Sequence, residues 1–276
     1  MDLGFRKPWV IGSTLIGGSQ DFALGRRTRT ASSMTEILRY ERSDSVATIT
    51  MDDGKVNCIS LAMLAELNRA LDQAEEDKAV VVLTGRDGMF SGGFDLETFK
   101  QGGEPLYQML RGGADLASRI LSFPRPVVIA CNGHAIAMGA FLAMSGDVRI
   151  GAAGDFKLVC NEVAIGLTVP RALIEITRSR LAPSHFNRAL ATAETYSPEG
   201  AAEAGFLDRV VPAADLAKEA ASAARGLRKL NARAHAQTKL LVREHALEAI
   251  RAGTASELGS YEVFSDTIGA ALKVKR

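Results

Sequence analysis

Apolar residues change their rhythm along this chain. In "ILRYE" and "VATITM", residues 37–41 and 46–51, short apolar stretches flank the polar turn "RSDS", which predicts two paired strands. From Ser60 the rhythm lengthens: Leu61, Leu64, Leu67 and Leu71 recur every three or four positions, which predicts an amphipathic helix capped by Ser60. "AVVVLTG" (79–85) and "PVVIACNG" (126–133) are continuous apolar runs, the pattern of strands buried on both faces. Between them lie the glycine-rich turn "FSGGFDL" (90–96) and a helical stretch around "YQMLRGGADLASRILSF" (107–123). "GAFLAMSGD" (139–147) predicts a small-residue helix, and "VRIGAAGDFKLV" (148–159) two more short strands. Beyond "VPRALIEITRSRLAP" the pattern is helical to the end, broken by "LDRVVP" (207–212).

Strand and helix therefore alternate first, and helices follow. This predicts one α/β domain over 35–212 and a helical region over 213–276, which covers its own domain or packs on another subunit. No repeat of fixed period is visible. Residues 1–34 have no secretory apolar core and no sustained helical period, and are expected to be a disordered extension without assigned function.

Charge narrows the field. A formal net charge of +1 over 276 residues gives no electrostatic reason to expect nucleic acid or an anionic membrane as partner. No apolar run reaches the roughly 18 residues of a membrane span. Cys58, Cys131 and Cys160 lack any pairing or metal-type spacing and sit among apolar residues, as buried thiols of a reducing cytoplasm would. His185, His235 and His245 fall on helical patterns without ligand partners, so no metal site is expected.

Candidate chemistry centres on the two glycine turns and on one acid. Each turn follows a buried strand and runs into a helix, where backbone N–H groups are available to negative charge. Neither is a phosphate-binding P-loop or a dinucleotide fingerprint. Glu162 stands inside "LVCNEVAIGL", where apolar surroundings favour the neutral acid and raise its pKa. On residue type alone it serves equally as a helix cap or as a partner for Arg171.

Taken together, "FSGGFDL" and "CNGHAIAMGAFLAMSGDVRI" resemble the two oxyanion segments of the crotonase (enoyl-CoA hydratase/isomerase) superfamily. "GKVNCISLAMLAELNRAL", "AVVVLTGRDGMFSGGFDL" and "YSPEGAAEAGFLDRVVP" extend the resemblance over residues 35 to 272. It implies a crotonase-like spiral of strand-strand-helix repeats with a helical C-terminal trimerisation region, assembled as a homotrimer or a dimer of trimers. It also implies an acyl-CoA thioester as substrate, with no separate cofactor. The thioester oxygen would be held by the N–H groups of Phe94 and Met138. Met138 replaces a usual glycine, which leaves open whether its side chain shortens or blocks the acyl site.

Hydratases of this family use two glutamates, one as base and one as acid. By the resemblance the first position falls on Phe141, flanked by Ala140 and Leu142, and the second on Glu162. A lone carboxylate suits double-bond migration, and the Asn-Glu pair is similar to the Δ3,Δ2-enoyl-CoA isomerase branch. A hydratase and a noncatalytic acyl-CoA-binding protein remain alternatives. The resemblance also places CoA along Lys55, Cys58, Ile59, Gly92 and Gly93, largely through main-chain groups, with Lys100 and Lys273 as phosphate candidates. Phe141, Gly139 and His134 would border the substrate pocket, His134 as a packing or loop residue. Asp95 is expected to cap the next helix, and Asp147 to be structural.

Overall fold

The chain winds as a spiral in which each coil contributes one strand to a large sheet, one or two to a smaller sheet, and then a helix. The computed structural model describes residues 31–34 and 37–273. An antiparallel pair, β1 (Ala31–Met34) and β2 (Leu38–Ser43), leads in. The first coil is β3 (Val46–Met51), β4 (Cys58–Ile59) and α1 (Leu61–Glu76). The second is β5 (Val80–Thr84), β6 (Gly88–Ser91), β7 (Gly93–Phe94), α2 (Leu96–Gln101) and α3 (Gly103–Ser122). The third is β8 (Val127–Cys131), β9 (Gly133–Ile136) and α4 (Met138–Met144). The fourth is β10 (Val148–Ala152), β11 (Leu158–Val159), a 3₁₀ turn at Val163–Ile165 and α5 (Arg171–Arg178). Then come α6 (Pro183–Ala191), α7 (Pro198–Ala204) and the edge strand β12 (Arg209–Val211).

The large sheet has the order β1-β2-β3-β5-β8-β10-β12, parallel from β3 onward. Three strands, β11-β9-β6, form the second sheet, and β4 pairs with β7 in a third. The buried runs explain the large sheet. On β5, Val81 and Leu83 face the main core, while Val80 and Val82 face a second apolar layer closed by α8 (Leu216–Leu227) through Leu216, Ala220 and Ala224. Both faces are thus covered, as parallel strands require.

Residues 31–34 correct the expected extension, because they form β1 with Ala31 opposite Arg42. The physical reason is that β2 would otherwise present an unpaired edge. The rest of the extension, residues 1–30, lies outside the described residues, as does the side chain of Lys273.

Beyond β12 and α8 the chain continues as α9 (Ala232–Val242), α10 (Glu244–Leu258), α11 (Tyr261–Phe264), a π-helical turn at Ser265–Gly269 and α12 (Ala270–Lys273). This tail covers its own domain: α10 packs on α3 and α5. Asp147, at the end of the third coil, fastens it, accepting from Lys239 Nζ at 2.7 Å and from the Val127 N–H at 2.7 Å, with Arg243 at 2.8 Å. Asp147 is structural, as expected. Ser60 caps α1, its Oγ accepting from the Met63 N–H at 3.1 Å. Ser60→Ala is expected to lower stability by about 1 kcal/mol, measurable as a lower urea midpoint with an unchanged slope.

Candidate active site

The two glycine turns come from successive coils and meet at the wall of a cavity of about 430 Å³. Gly93 allows the approach. It holds φ +92°, and a Cβ there would stand 2.9 Å from Ala137 Cβ and 3.3 Å from Met138 N. Gly139 does the same on the other side, where a Cβ would meet Ser91 O at 2.4 Å. Ala137, which precedes Met138, sits at φ 49°, ψ −121° with its N–H donating to Val159 O at 2.8 Å. A side chain rarely adopts that conformation. It turns the backbone sharply so that Met138 opens α4, where its N–H lacks an intrahelical acceptor.

Glu162 lies in the wall of the same cavity, on the segment joining β11 to the 3₁₀ turn. It is 7% exposed, and its Oε2 is buried without a hydrogen-bond partner. It does not cap the turn through its side chain, and Arg171 pairs with Glu257 instead. Burial pushes its carboxyl up to about 7, against a small opposing effect of its own backbone N–H. Among the described residues of the cavity wall, Glu162 is the one ionisable side chain. The cavity's apolar lining comes from Phe94, Leu96 and Phe99, from Leu110 of α3, from Leu173 of α5, and from Ile268 and Leu272 of the tail.

The other expected site residues divide. Phe94 and Gly92 border the cavity with Glu162, and Gly93 holds the turns together. Met138 neither blocks nor shortens the cavity directly. It is fully buried and reaches toward Gly113 of α3, where a Cβ would be 3.4 Å from Met138 Cε and 2.5 Å from the Phe94 ring. Phe141, Gly139 and His134, expected at the pocket, are not among the described residues of this wall. Phe141 is sealed in the apolar core, and Gly139 serves the backbone approach to Ser91. His134 accepts from the Lys157 N–H at 3.0 Å and packs edge-on against Phe156.

Of the residues proposed for CoA, Gly92 borders the cavity, whereas Lys55, Cys58, Ile59 and Lys100 are not on its described wall. The N–H groups of Lys55 and Cys58 are already donated, each at 2.8 Å, to the Asp53 carboxylate. Ile59 is fully buried and lies opposite Phe94 in the β4–β7 ladder. Lys100 pairs with Glu97 at 2.6 Å on the exposed side of α2, and Asp95 caps α2 by accepting from the Thr98 N–H at 3.0 Å.

Sequence reasoning missed Asn57. It is fully buried at φ 52°, and its Nδ2 donates to Met51 O, Met89 O and Phe90 O, while Oδ1 accepts from the Asp53 N–H. It pins the 52–58 loop to the strand that delivers the first glycine turn. The tail residues Ile268 and Leu272 were missed as well, since nothing local marks them as cavity wall.

Known proteins share this fold. The sequence profile of the enoyl-CoA hydratase/isomerase family matches residues 41–270. A probable enoyl-CoA hydratase of Bacillus subtilis is 36% identical over 126 residues, 44% of this chain and 48% of the relative, so the chain spans about half the length of that curated relative. A Mycobacterium tuberculosis protein is known from two structures. One is described as an enoyl-CoA isomerase (46% identity, TM-score 0.78, 83% of this chain and 99% of that one). The other is described as a probable enoyl-CoA hydratase (45%, 0.80, 86% and 98%). Human mitochondrial Δ3-Δ2-enoyl-CoA isomerase superposes with TM-score 0.75 at 26% identity, over 84% of this chain and 92% of its own. With two abutting glycine turns, a buried acid and a spiral of strand-strand-helix coils already in place, the profile match settles the assignment: the chain belongs to the enoyl-CoA hydratase/isomerase family.

Proposed function

We propose that this protein moves a double bond within an enoyl-CoA thioester, using Glu162 as the sole proton carrier. The observation that carries the reading is the lack of any second ionisable side chain on the described cavity wall. The N–H groups of Phe94 and Met138 hold the thioester oxygen. Glu162 takes a proton from the α carbon of a 3-enoyl thioester, and the electron pair spreads through a dienolate onto that oxygen. The same carboxyl then returns the proton to the γ carbon, leaving the conjugated 2-enoyl thioester. Donors fixed where charge develops stabilise it without reorganising, and a carboxyl near 7 both takes and returns a proton at neutral pH.

The apolar lining accepts an alkyl chain. The pantetheine runs along the 55–59 loop and Gly92, through carbonyl groups more than through the N–H groups that Asp53 has taken. Leu240, Leu241 and Val242 of α9 are exposed apolar residues, and they support self-association as a trimer or dimer of trimers. Cys58, Cys131 and Cys160 are free thiols, which supports a cytoplasmic location.

The test is a panel of 2-enoyl and 3-enoyl CoA thioesters followed by absorbance and mass. A 3-enoyl thioester is expected to gain the absorbance of the conjugated product at constant mass. Loss of that absorbance from crotonyl-CoA with addition of water would make the protein a hydratase. Tight binding without turnover across the panel would make it a noncatalytic binder.

A further inference from the structure

Beside the carboxyl stands a polar side chain to which the proton-transfer reading gives no task. Asn161 lines the same cavity, and its Oδ1, like Glu162 Oε2, is buried without a hydrogen-bond partner. The backbone around both residues is tied down. The Ile165 N–H lies 3.2 Å from both Asn161 O and Glu162 O, and the Leu167 N–H donates to Glu162 O at 2.7 Å. The turn is therefore closed by main-chain groups, and neither side chain is spent on capping it.

Both orphan atoms are acceptors, on consecutive residues, in a wall that is otherwise mostly apolar. Buried acceptors are rarely left unmet. An alkyl chain brings no donor, and the thioester brings only acceptors. A water molecule brings two donors at once, and such waters are structural parts of polar niches. Resting on the reading of Glu162 as proton carrier, we propose that Asn161 is its positioning residue: Asn161 Oδ1 and Glu162 Oε2 accept the two hydrogens of one water, leaving Glu162 Oε1 to face the reacting carbons.

Such a bond favours the charged form of the acid and opposes the effect of burial. The titratable group that feels the Glu162 charge is the Cys160 thiol, which burial and that carboxylate push well above its ordinary value. No charged side chain from α2, α3, α5 or the tail stands on the described wall against it. Beside its own backbone N–H, the carboxyl then has the Asn161 amide as its polar side-chain neighbour in the cavity wall.

The experiment is a pH titration of Glu162 by carbon NMR on full-length protein labelled at the glutamate carboxyl carbon, without substrate. Asn161→Leu is expected to raise the midpoint by about half to one pH unit, and Asn161→Gln to return it toward wild type. Asn161→Ser keeps an oxygen and serves if the leucine variant fails to fold, with a smaller shift in the same direction. The acid limb of kcat/KM should move with the NMR midpoint, whereas a merely structural role would lower kcat equally at every pH. A midpoint in the folded leucine or serine variant that coincides with wild type overturns the inference. The titration needs no turnover, so that result leaves the isomerase reading standing, and full activity of Glu162→Gln would overturn that reading instead.

Discussion

Glu162→Gln is expected to slow conversion of a 3-enoyl thioester by roughly a hundred- to ten-thousand-fold, the range associated with a positioned acid or base. Glutamine keeps the shape of the side chain but cannot carry the proton. Binding of a saturated acyl-CoA should change little, because the N–H donors and the apolar wall remain. The same substitution has an opposite effect on stability. The Glu162 carboxyl titrates at about 7 when folded, against an ordinary value of 4.5. Between those values the folded chain holds a proton that the unfolded chain has lost. Stability therefore falls as pH rises through that window, by at most about 3 kcal/mol for a shift of this size. The glutamine variant escapes this loss. Its urea midpoint should exceed that of wild type at pH 8, and the gap should narrow toward pH 5. Undiminished turnover, or a gap that ignores pH, would count against the assigned role.

Gly93→Ala is expected to reduce kcat by roughly a hundred-fold or more, the loss associated with one displaced oxyanion donor. The added methyl would press on Ala137 Cβ and Ile136 O, each at 2.9 Å, and on Met138 N at 3.3 Å. The two turns must then separate, and their N–H groups cease to converge. Alanine also resists φ +92°, at a cost of roughly 1–2 kcal/mol. Gly102→Ala is the matching control. Gly102 has φ +66° with nothing within 4 Å of its absent Cβ, so alanine there strains the backbone without moving the site. The control should lose stability and keep its rate. Equal rate losses in both variants would show that strain alone, not the spacing of the turns, is responsible.

Much of this architecture could be read from residue order. The buried runs at 80–84 and 127–131 are central strands, and the caps at Ser60 and Asp95 sit where short polar side chains precede helices. The acid in the apolar segment was legible because burying a carboxylate is costly and invites a reason. What stayed hidden depends on contacts between coils. The second sheet is made of two- to four-residue strands whose partners lie a whole coil away, so β6 and β9 look like turns. The coils themselves lack a common period because their helices range from the six residues of α2 to the twenty of α3. Ala137 adopts positive φ, which its residue type does not announce. Phe141 and His134 were placed at the pocket by chain position alone. Chain position does not show that Phe141 packs in the apolar core or that His134 accepts from the Lys157 N–H.

The spiral also separates duties. The oxygen-holding donors proposed at Phe94 and Met138 belong to the second and third coils, the acid belongs to the fourth, and part of the acyl wall comes from the tail. Each portion can drift while its neighbours stay fixed. A descendant of this chain could acquire a new reaction by rewriting the short segment around Asn161 and Glu162, or a new chain length by reshaping Ile268 and Leu272, and still inherit the anion cradle intact.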